Sequence, residues 1–346
     1  MVRVGLNGLG RIGKRVLHFL LNESDVEIIF INDKNKDISN VAYMLNYDSI
    51  YGNEILFSES SKDIMYKDKK LPYYSFDDPT ELLSNASQCD LIIDATGVSC
   101  FSQQYRKLIN SGIIKKALIT HSPGDEDITV VIGSNEHLLD NDNHNVISTS
   151  ICDASAIAPI LSHIDANFGI ENGFITTLHP WLNYQNLLDG PSSSWSSPGE
   201  TYHHYSLGRA SFNNLIPKTT SAVEVALKSF VPKKTNLPLG SFSYRIPTNI
   251  VCSADLTLNI CKKISNHELK DFIFSLENIY KQKIFNVSDQ PLVSSDFIKN
   301  DFSCNIDNRW TEVIDGSMIK LVLWYDNEYA YSRRIIDILR MVSLDG

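Results

Sequence analysis

The chain has no C-x-x-C pair: its six cysteines stand at positions 89, 100, 152, 252, 261 and 304. That spacing predicts neither a metal site nor a disulfide framework and points to a reducing, cytoplasmic setting. No apolar run approaches the ~20 residues of a membrane span, so no membrane partner is expected. Positive charge is also short, with 31 Lys and Arg against 41 Asp and Glu, a net charge of −10. An acidic balance of that kind excludes a general nucleic-acid or anionic-membrane role. Internal repeats are missing, and the only low-complexity tract is the serine-rich stretch 192–197. A secretory leader is not expected, because Gly5 to Gly13 already belongs to a folded motif.

What is present is a soluble, globular composition: 346 residues, 43% of them hydrophobic. That length predicts two domains rather than one core. Val2 to Leu6 reads as a short buried strand, and Asn7-Gly8-Leu9-Gly10-Arg11-Ile12-Gly13 follows at once. A helix then opens with Ile12, Val16, Leu17, Leu20 and Leu21 on one face. Glycines at 8, 10 and 13 thus form G-x-G-x-x-G between a strand and a helix, the context in which a helix N-terminus receives a pyrophosphate. A second strand, Val26 to Ile31, ends in Asn32-Asp33, and Asp33 lies 20 positions after Gly13. A carboxylate there hydrogen-bonds the adenine ribose and repels a 2′-phosphate, which predicts NAD rather than NADP.

Further strands are expected over Leu91 to Val98, Lys116 to Thr120, Thr129 to Ile132 and Val146 to Ser148, with a helix over Gln103 to Ser111. This is an α/β pattern, a Rossmann-type doubly wound nucleotide domain. After it the texture changes to a helix over 153–165, long alternating stretches such as Ser241 to Leu258, a helix from His267 to Gln282 and a last helix over 330–343. That second part reads as an α+β domain on a mostly antiparallel sheet.

Cys152 stands where the helix begins, and His179 ends the strand-like Gly173 to His179. A helix N-terminus favours a thiolate, and a strand-end histidine can take or return its proton. By themselves a helix-start cysteine is more often a small buried hydrophobe and a strand-end histidine more often a surface residue.

Asn7 to Gly13, Asn32-Asp33, Tyr47-Asp48-Ser49, Ala95-Thr96-Gly97-Val98, Asp189-Gly190-Pro191, Arg245-Ile246-Pro247-Thr248 and Trp324-Tyr325-Asp326-Asn327-Glu328-Tyr329 occur in an order that resembles the glyceraldehyde-3-phosphate dehydrogenase superfamily, from residue 1 to about residue 340. The resemblance implies that the last helix rejoins the nucleotide domain, giving 1–151 with 318–346 for NAD and 152–317 for catalysis and oligomerisation. It implies cofactor contacts at Asn7, Gly8, Gly10, Arg11, Ile12, Gly13, Asp33, Thr96 and Gly97, with Asn327 holding the nicotinamide carboxamide. It implies aldehyde oxidation through a Cys152 thioester, with His179 as the base and a homotetramer, or a dimer, as the assembly.

Three departures shape the expected reaction. The family flanks its cysteine as Ser-Cys-Thr-Thr-Asn, whereas this chain has Ile151-Cys152-Asp153, and a carboxylate there repels a phosphate nucleophile. Thr219 and Thr220 keep hydroxyls in the loop that receives the attacking phosphate. The family's two substrate-phosphate threonines, in His-x-x-Thr-x-Thr-Gln, become Leu182 and Tyr184, while Arg245 remains to clamp a phosphate or carboxylate. Trp181 and Tyr184 either line an enlarged pocket or pack. The connection after His179 is lengthened around Ser192 to Tyr205, with Trp195, Tyr202, His203 and His204; adjacent histidines on a strand face opposite sides and do not predict a metal site. The sequence therefore predicts an NAD-dependent aldehyde dehydrogenase acting on a small phosphorylated hydroxy-aldehyde and releasing the acid. The alternatives are a phosphorylating glyceraldehyde-3-phosphate dehydrogenase and a catalytically weak, NAD-bound scaffold.

Overall fold

A computed structural model describes residues 1–82, 88–192 and 204–343. Trp195, Tyr202 and His203 lie outside the described residues, so the lengthened connection is seen only at its two ends. The chain forms two compact units: Met1–Thr129, Leu139–Thr149 and Ser332–Gly346 make one, and Val130–Leu138 with Ser150–Tyr331 the other.

The first unit is built on a nine-stranded sheet. From one edge it runs Ile128–Thr129, Val146–Ser148, Lys116–Ile119, Leu91–Asp94, Val2–Asn7, Val26–Asn32 and Lys69–Tyr74, all parallel. Asp63–Tyr66 and Phe57–Ser60 then extend it as an antiparallel meander. Parallel strands are covered on both faces and read as continuous apolar runs; Val4, Leu6, Phe30, Ile92, Ile93 and Leu118 are accordingly shut off from solvent. Helix Arg11–Leu20 buries Val16, Leu17 and Leu20, and helix Phe101–Asn110 buries Tyr105 and Leu108. The last helix, Tyr329–Ser343, contributes Ile335, Ile336, Ile338 and Leu339 to the buried set. Its Arg333 reaches Glu23 at 3.1 Å, and Arg340 pairs with the same carboxylate.

A buried polar network sits at the carboxyl ends of the central strands. Asp94, fully buried, accepts from the Tyr105 hydroxyl at 2.6 Å, Asn7 Nδ2 at 3.2 Å, Thr96 N at 3.0 Å and Thr96 Oγ1 at 2.8 Å. Asn7 Oδ1 in turn accepts from Asn32 Nδ2 at 2.8 Å. A carboxylate with four donors offsets the desolvation cost that an unpaired one would carry.

The second unit has an eight-stranded sheet in the order Ile216–Lys218, Leu239–Arg245, Ile170–His179, Cys252–Ile260, Met318–Tyr325, Cys304–Asp307, Phe285–Ser288, with Glu312–Ile314 also on Met318–Tyr325. All its pairings are antiparallel except those of Ile170–His179 with Leu239–Arg245 and of Phe285–Ser288 with Cys304–Asp307. Alternation decides the faces. Cys252, Ala254, Leu256 and Leu258 are fully buried, as are Ile319, Leu321 and Leu323, while Phe174 on the opposite face is 65% exposed. Helix Cys152–Phe168 is buried along most of its length, from Asp153 to Leu161.

Three expectations need correction. The resemblance places Met318–Tyr325 in the nucleotide domain, yet this strand pairs along its length with Cys252–Ile260 and belongs to the second unit; after Thr149 the chain rejoins the first unit at Ser332. The strand expected over Thr129 to Ile132 stops at Thr129, because Asn135 Oδ1 takes the Val131 N–H at 2.8 Å and the chain turns. The helix expected to reach Gln282 covers Asn266–Ser275; beyond it, the Glu277 carboxylate accepts the Val287 N–H at 2.8 Å.

Candidate active site

Each unit carries one half of the candidate chemistry. In the first, Gly8 has φ +95°, and a Cβ there would stand 2.8 Å from the Ala95 carbonyl. A Cβ on Gly13 would lie 1.9 Å from the Gly8 oxygen. Both positions admit only glycine, and the turn they form leads straight into helix Arg11–Leu20, whose cap, Gly10, offers no side-chain acceptor. The first amides of that helix are left for an anion, which fits a dinucleotide pyrophosphate.

Asp33 stands at the end of its strand. Its Oδ2 accepts the Leu9 N–H at 2.7 Å and its Oδ1 the Asn35 N–H at 2.9 Å, so it tethers the glycine loop and keeps lone pairs for a ribose. Asn7 and Thr96 turn their side chains inward to Asp94; they shape the loop. Thr96 Oγ1 also accepts the Val98 N–H at 3.2 Å, across Gly97 at φ +74°. Arg11 Nη1 donates to Asp48 at 2.7 Å, which ties the glycine loop to the Tyr47-Asp48-Ser49 segment. Ile12 is half-buried.

The second unit holds the thiol. Ser150, at φ +71°, and Ile151, extended, deliver Cys152 to the first position of its helix. A non-glycine residue in the left-handed region needs support from its surroundings; the Tyr331 hydroxyl donates to the Ser150 carbonyl at 2.8 Å. Cys152 Sγ lies 3.8 Å from His179 Nε2. His179 Nδ1 is 2.9 Å from the Pro180 carbonyl, a contact that sets Nδ1 as the protonated nitrogen and turns the Nε2 lone pair to the sulfur. Asp153 Oδ1 is 3.7 Å from the same sulfur and accepts the Tyr325 hydroxyl at 2.7 Å. One ligand atom each from Cys152, Asp153 and His179 fall within 4.8 Å of one another, a convergence that cysteine spacing did not predict.

Electrostatics modify the thiolate expectation. Burial pushes the Cys152 thiol well above its ordinary value and the Asp153 charge adds to this, with Arg245 pulling the other way. Burial, joined by Arg245, lowers His179 to about 4. The resting pair is thus a neutral thiol beside a neutral imidazole. The helix N-terminus is outweighed by desolvation and the neighbouring carboxylate, and a neutral His179 beside the thiol can accept a proton.

The remaining predicted residues fall on both sides of expectation. Arg245, 5% exposed, is in register with His179 and gives Nη1 to the Pro180 carbonyl at 3.4 Å, while its Nε has no partner among the described residues. Asn327 Oδ1 accepts the N–H of Val251, a β-branched residue at φ +70°, at 3.1 Å; its Nδ2 remains as a donor. Leu182 and Tyr184 are half-buried in a turn that Gln185 closes, its Oε1 accepting the Leu182 N–H at 2.9 Å. Thr219 is exposed. Thr220 Oγ1 accepts the Ala222 N–H at 3.2 Å and starts the next helix. Two residues at the thiol were not singled out from the sequence: Tyr325, the partner of Asp153, and Lys218, whose ammonium is near enough to interact with Arg245, Asp153 and Cys152. The signal for Lys218 was its place two positions after buried Ile216 on a short strand, which puts both on one face.

Comparison with known proteins follows the same division. The model of the glyceraldehyde 3-phosphate dehydrogenase NAD-binding domain matches residues 2–102, and that of the C-terminal domain of the same enzyme matches 151–327. The chain is 32% identical to glyceraldehyde-3-phosphate dehydrogenase 1 of Bacillus subtilis, over 100% of this chain and 99% of that protein. It is 32% identical to glyceraldehyde-3-phosphate dehydrogenase 2 of Streptomyces avermitilis, over 97% of each. With the cytosolic glyceraldehyde-3-phosphate dehydrogenase of Chlamydomonas reinhardtii it shares 30% identity over 97% of this chain and 95% of the relative.

Proposed function

The chain belongs to the glyceraldehyde-3-phosphate dehydrogenase family and is an NAD-dependent oxidoreductase, and from that premise we propose that it oxidises a small phosphorylated aldehyde through a thioester on Cys152. The observation that carries this reading is the 3.8 Å approach of Cys152 Sγ to a His179 whose other nitrogen is held by Pro180. His179 takes the thiol proton as sulfur bonds to the aldehyde carbon, and returns it to the oxygen to give a thiohemiacetal. It takes that proton again as the carbon is oxidised to the thioester. NAD, when bound, supplies the hydride acceptor. Asn327 Nδ2 is the donor assigned to the nicotinamide carboxamide.

The names of the relatives favour the alternative reading, a glyceraldehyde-3-phosphate dehydrogenase whose thioester is cleaved by phosphate. Release as the acid by water is the second reading, favoured by one observation: the Asp153 carboxylate lies 3.7 Å from the sulfur that carries the acyl group. The scaffold reading is disfavoured by the intact contact between Cys152 and His179. We assign the protein to the cytoplasm by likeness to its relatives, one of which is named as a cytosolic enzyme; among the described residues no helix is long and apolar enough to cross a membrane. A homotetramer is the proposed assembly. Exposed Phe174, Leu187, Leu188, Tyr205, Phe212 and Leu215 in the second unit supply apolar surface for it.

The test is NADH formation by the purified protein on C3–C5 aldehydes, phosphorylated and not, each with and without inorganic phosphate. Phosphate-dependent turnover of glyceraldehyde 3-phosphate establishes the first reading. Phosphate-independent turnover with acid as product establishes the second, and no NADH from any aldehyde overturns both.

A further inference from the structure

The thiol site contains a cation that the mechanism above leaves unused. Lys218 ends the strand Ile216–Lys218, and sheet register fixes its direction. Lys218 pairs with Ser243, Ser243 with Thr177, and Arg245 with His179. Paired residues share a face, and so do alternate residues along a strand. Lys218, Arg245 and His179 therefore project from one face of the sheet, and all three interact electrostatically with Asp153 or Cys152. The Lys218 ammonium makes no hydrogen bond or ion pair among the described residues. Beside it, Arg245 is 5% exposed with an unpartnered Nε. Two cations held close together, one of them buried with a donor unused, carry a desolvation cost that an anionic ligand offsets.

We propose that Lys218 joins Arg245 in seating one tetrahedral oxyanion beside Cys152, and so acts as a specificity residue. The ligand is a phosphate, brought either as inorganic phosphate or as the substituent of the aldehyde. The threonine hydroxyls carry no charge to set against Asp153: Thr219 is exposed, and Thr220 Oγ1 accepts the Ala222 N–H while keeping its own proton to donate. Lys218 also answers the repulsion expected of Asp153, because two positive charges face one carboxylate. Where the anion is inorganic phosphate, one of its oxygens bonds to the thioester carbon and the carbon–sulfur bond breaks. The phosphate's proton passes through His179 to the departing Cys152 sulfur. The proposal rests on the thioester reading for this step, but not for binding itself.

The test compares Lys218→Met and Lys218→Arg with the unaltered full chain. With glyceraldehyde as substrate, Lys218→Met raises the KM for inorganic phosphate about tenfold or more, and Lys218→Arg restores it, if the anion is the attacking one. If it is the substrate's own, the same pair of changes appears in the KM for glyceraldehyde 3-phosphate and not in that for glyceraldehyde. A binding assay without turnover separates this proposal from the proposed function: inorganic phosphate is expected to slow Cys152 alkylation by iodoacetamide in the unaltered protein and in Lys218→Arg, but not in Lys218→Met. Unchanged KM values together with equal phosphate protection in Lys218→Met would overturn the proposal. So would a loss in Lys218→Met that Lys218→Arg, folded by circular dichroism, fails to restore.

Discussion

The Tyr325 hydroxyl donates to Asp153 Oδ1 over 2.7 Å, and that same oxygen lies 3.7 Å from the Cys152 sulfur. The phenol therefore spreads the carboxylate's negative charge away from the thiol. Removing the hydroxyl in Tyr325→Phe leaves a buried carboxylate oxygen short of a donor, at a cost of about 1–3 kcal/mol in stability. It also strengthens the field that holds the thiol protonated. Alkylation of Cys152 followed against pH is expected to shift to higher pH in Tyr325→Phe and to lower pH in Asp153→Asn. A shift of both variants in one direction would show that Tyr325 acts on Cys152 by packing rather than through Asp153.

His179 works as a base only when neutral, and burial lowers it to about 4 from an ordinary 6.5. The acid limb of kcat/KM is expected near pH 4 rather than 6.5, provided the fold survives there. A histidine with a lowered folded value binds fewer protons folded than unfolded between the two values. Its contribution to stability is fully present above pH 6.5 and is lost as the pH falls from 6.5 through 4, about 3 kcal/mol in all. Denaturant unfolding of the unaltered protein and His179→Gln at pH 7 and pH 4.5 measures this. The unaltered protein should lose more stability than the variant on acidification, and equal losses would show that another group carries the acid sensitivity. Turnover in His179→Gln is expected to drop by about 10²–10⁴.

The parts of this molecule that were legible in the sequence are those whose signal is local. Gly8, Gly10 and Gly13 stand within six residues of one another and are read by a turn that allows no Cβ at two of them. Cys152 and His179 each mark the end of an element, and the elements themselves show in periodicity. What was hidden depends on sheet register, which joins residues far apart in the chain. Lys218 reaches the thiol because Ile216 pairs with Arg245 and Arg245 with His179. Tyr325 reaches Asp153 because its strand lies beside Cys252–Ile260, the same pairing that moves Met318–Tyr325 out of the nucleotide domain. Asn7 and Thr96 belong to a motif that was recognised, but the direction of their side chains is set by Asp94, a buried strand-end acid whose partners no periodicity reveals.

The glycine loop gives a prediction confined to the first unit. In Gly13→Ala the new methyl would meet the Gly8 carbonyl at 1.9 Å, so the turn must open or the helix must shift. NAD binding, measured by fluorescence titration, is expected to weaken by at least about tenfold, at a cost in stability of about 1–3 kcal/mol. Asp33→Ala should also weaken NAD binding, through loss of the 2.7 Å tether to Leu9, and should narrow the preference over NADP because no carboxylate then faces the 2′-phosphate. An unchanged NAD to NADP ratio in Asp33→Ala would confine Asp33 to holding the loop.

The flank of Cys152 gives a test of which nucleophile ends the proposed reaction. Ile151 donates no side-chain hydrogen bond, and the Asp153 carboxylate lies 3.7 Å from the sulfur. Exchanging them in the double variant Ile151→Ser, Asp153→Thr removes a like charge and supplies two hydroxyls, while Lys218 and Arg245 are left unopposed. Two charges a few ångströms apart in a partly buried site repel by several kcal/mol before screening, so a gain of about tenfold in kcat/KM for inorganic phosphate is a conservative expectation. The measurement is acyl phosphate formed per NADH, with glyceraldehyde 3-phosphate as substrate, in the double variant against the unaltered protein. If the unaltered protein already forms one acyl phosphate per NADH and the variant adds nothing, Lys218 and Arg245 already hold the phosphate against Asp153, and the flank is structural. If the ratio rises from near zero, Asp153 is what diverts the thioester to water.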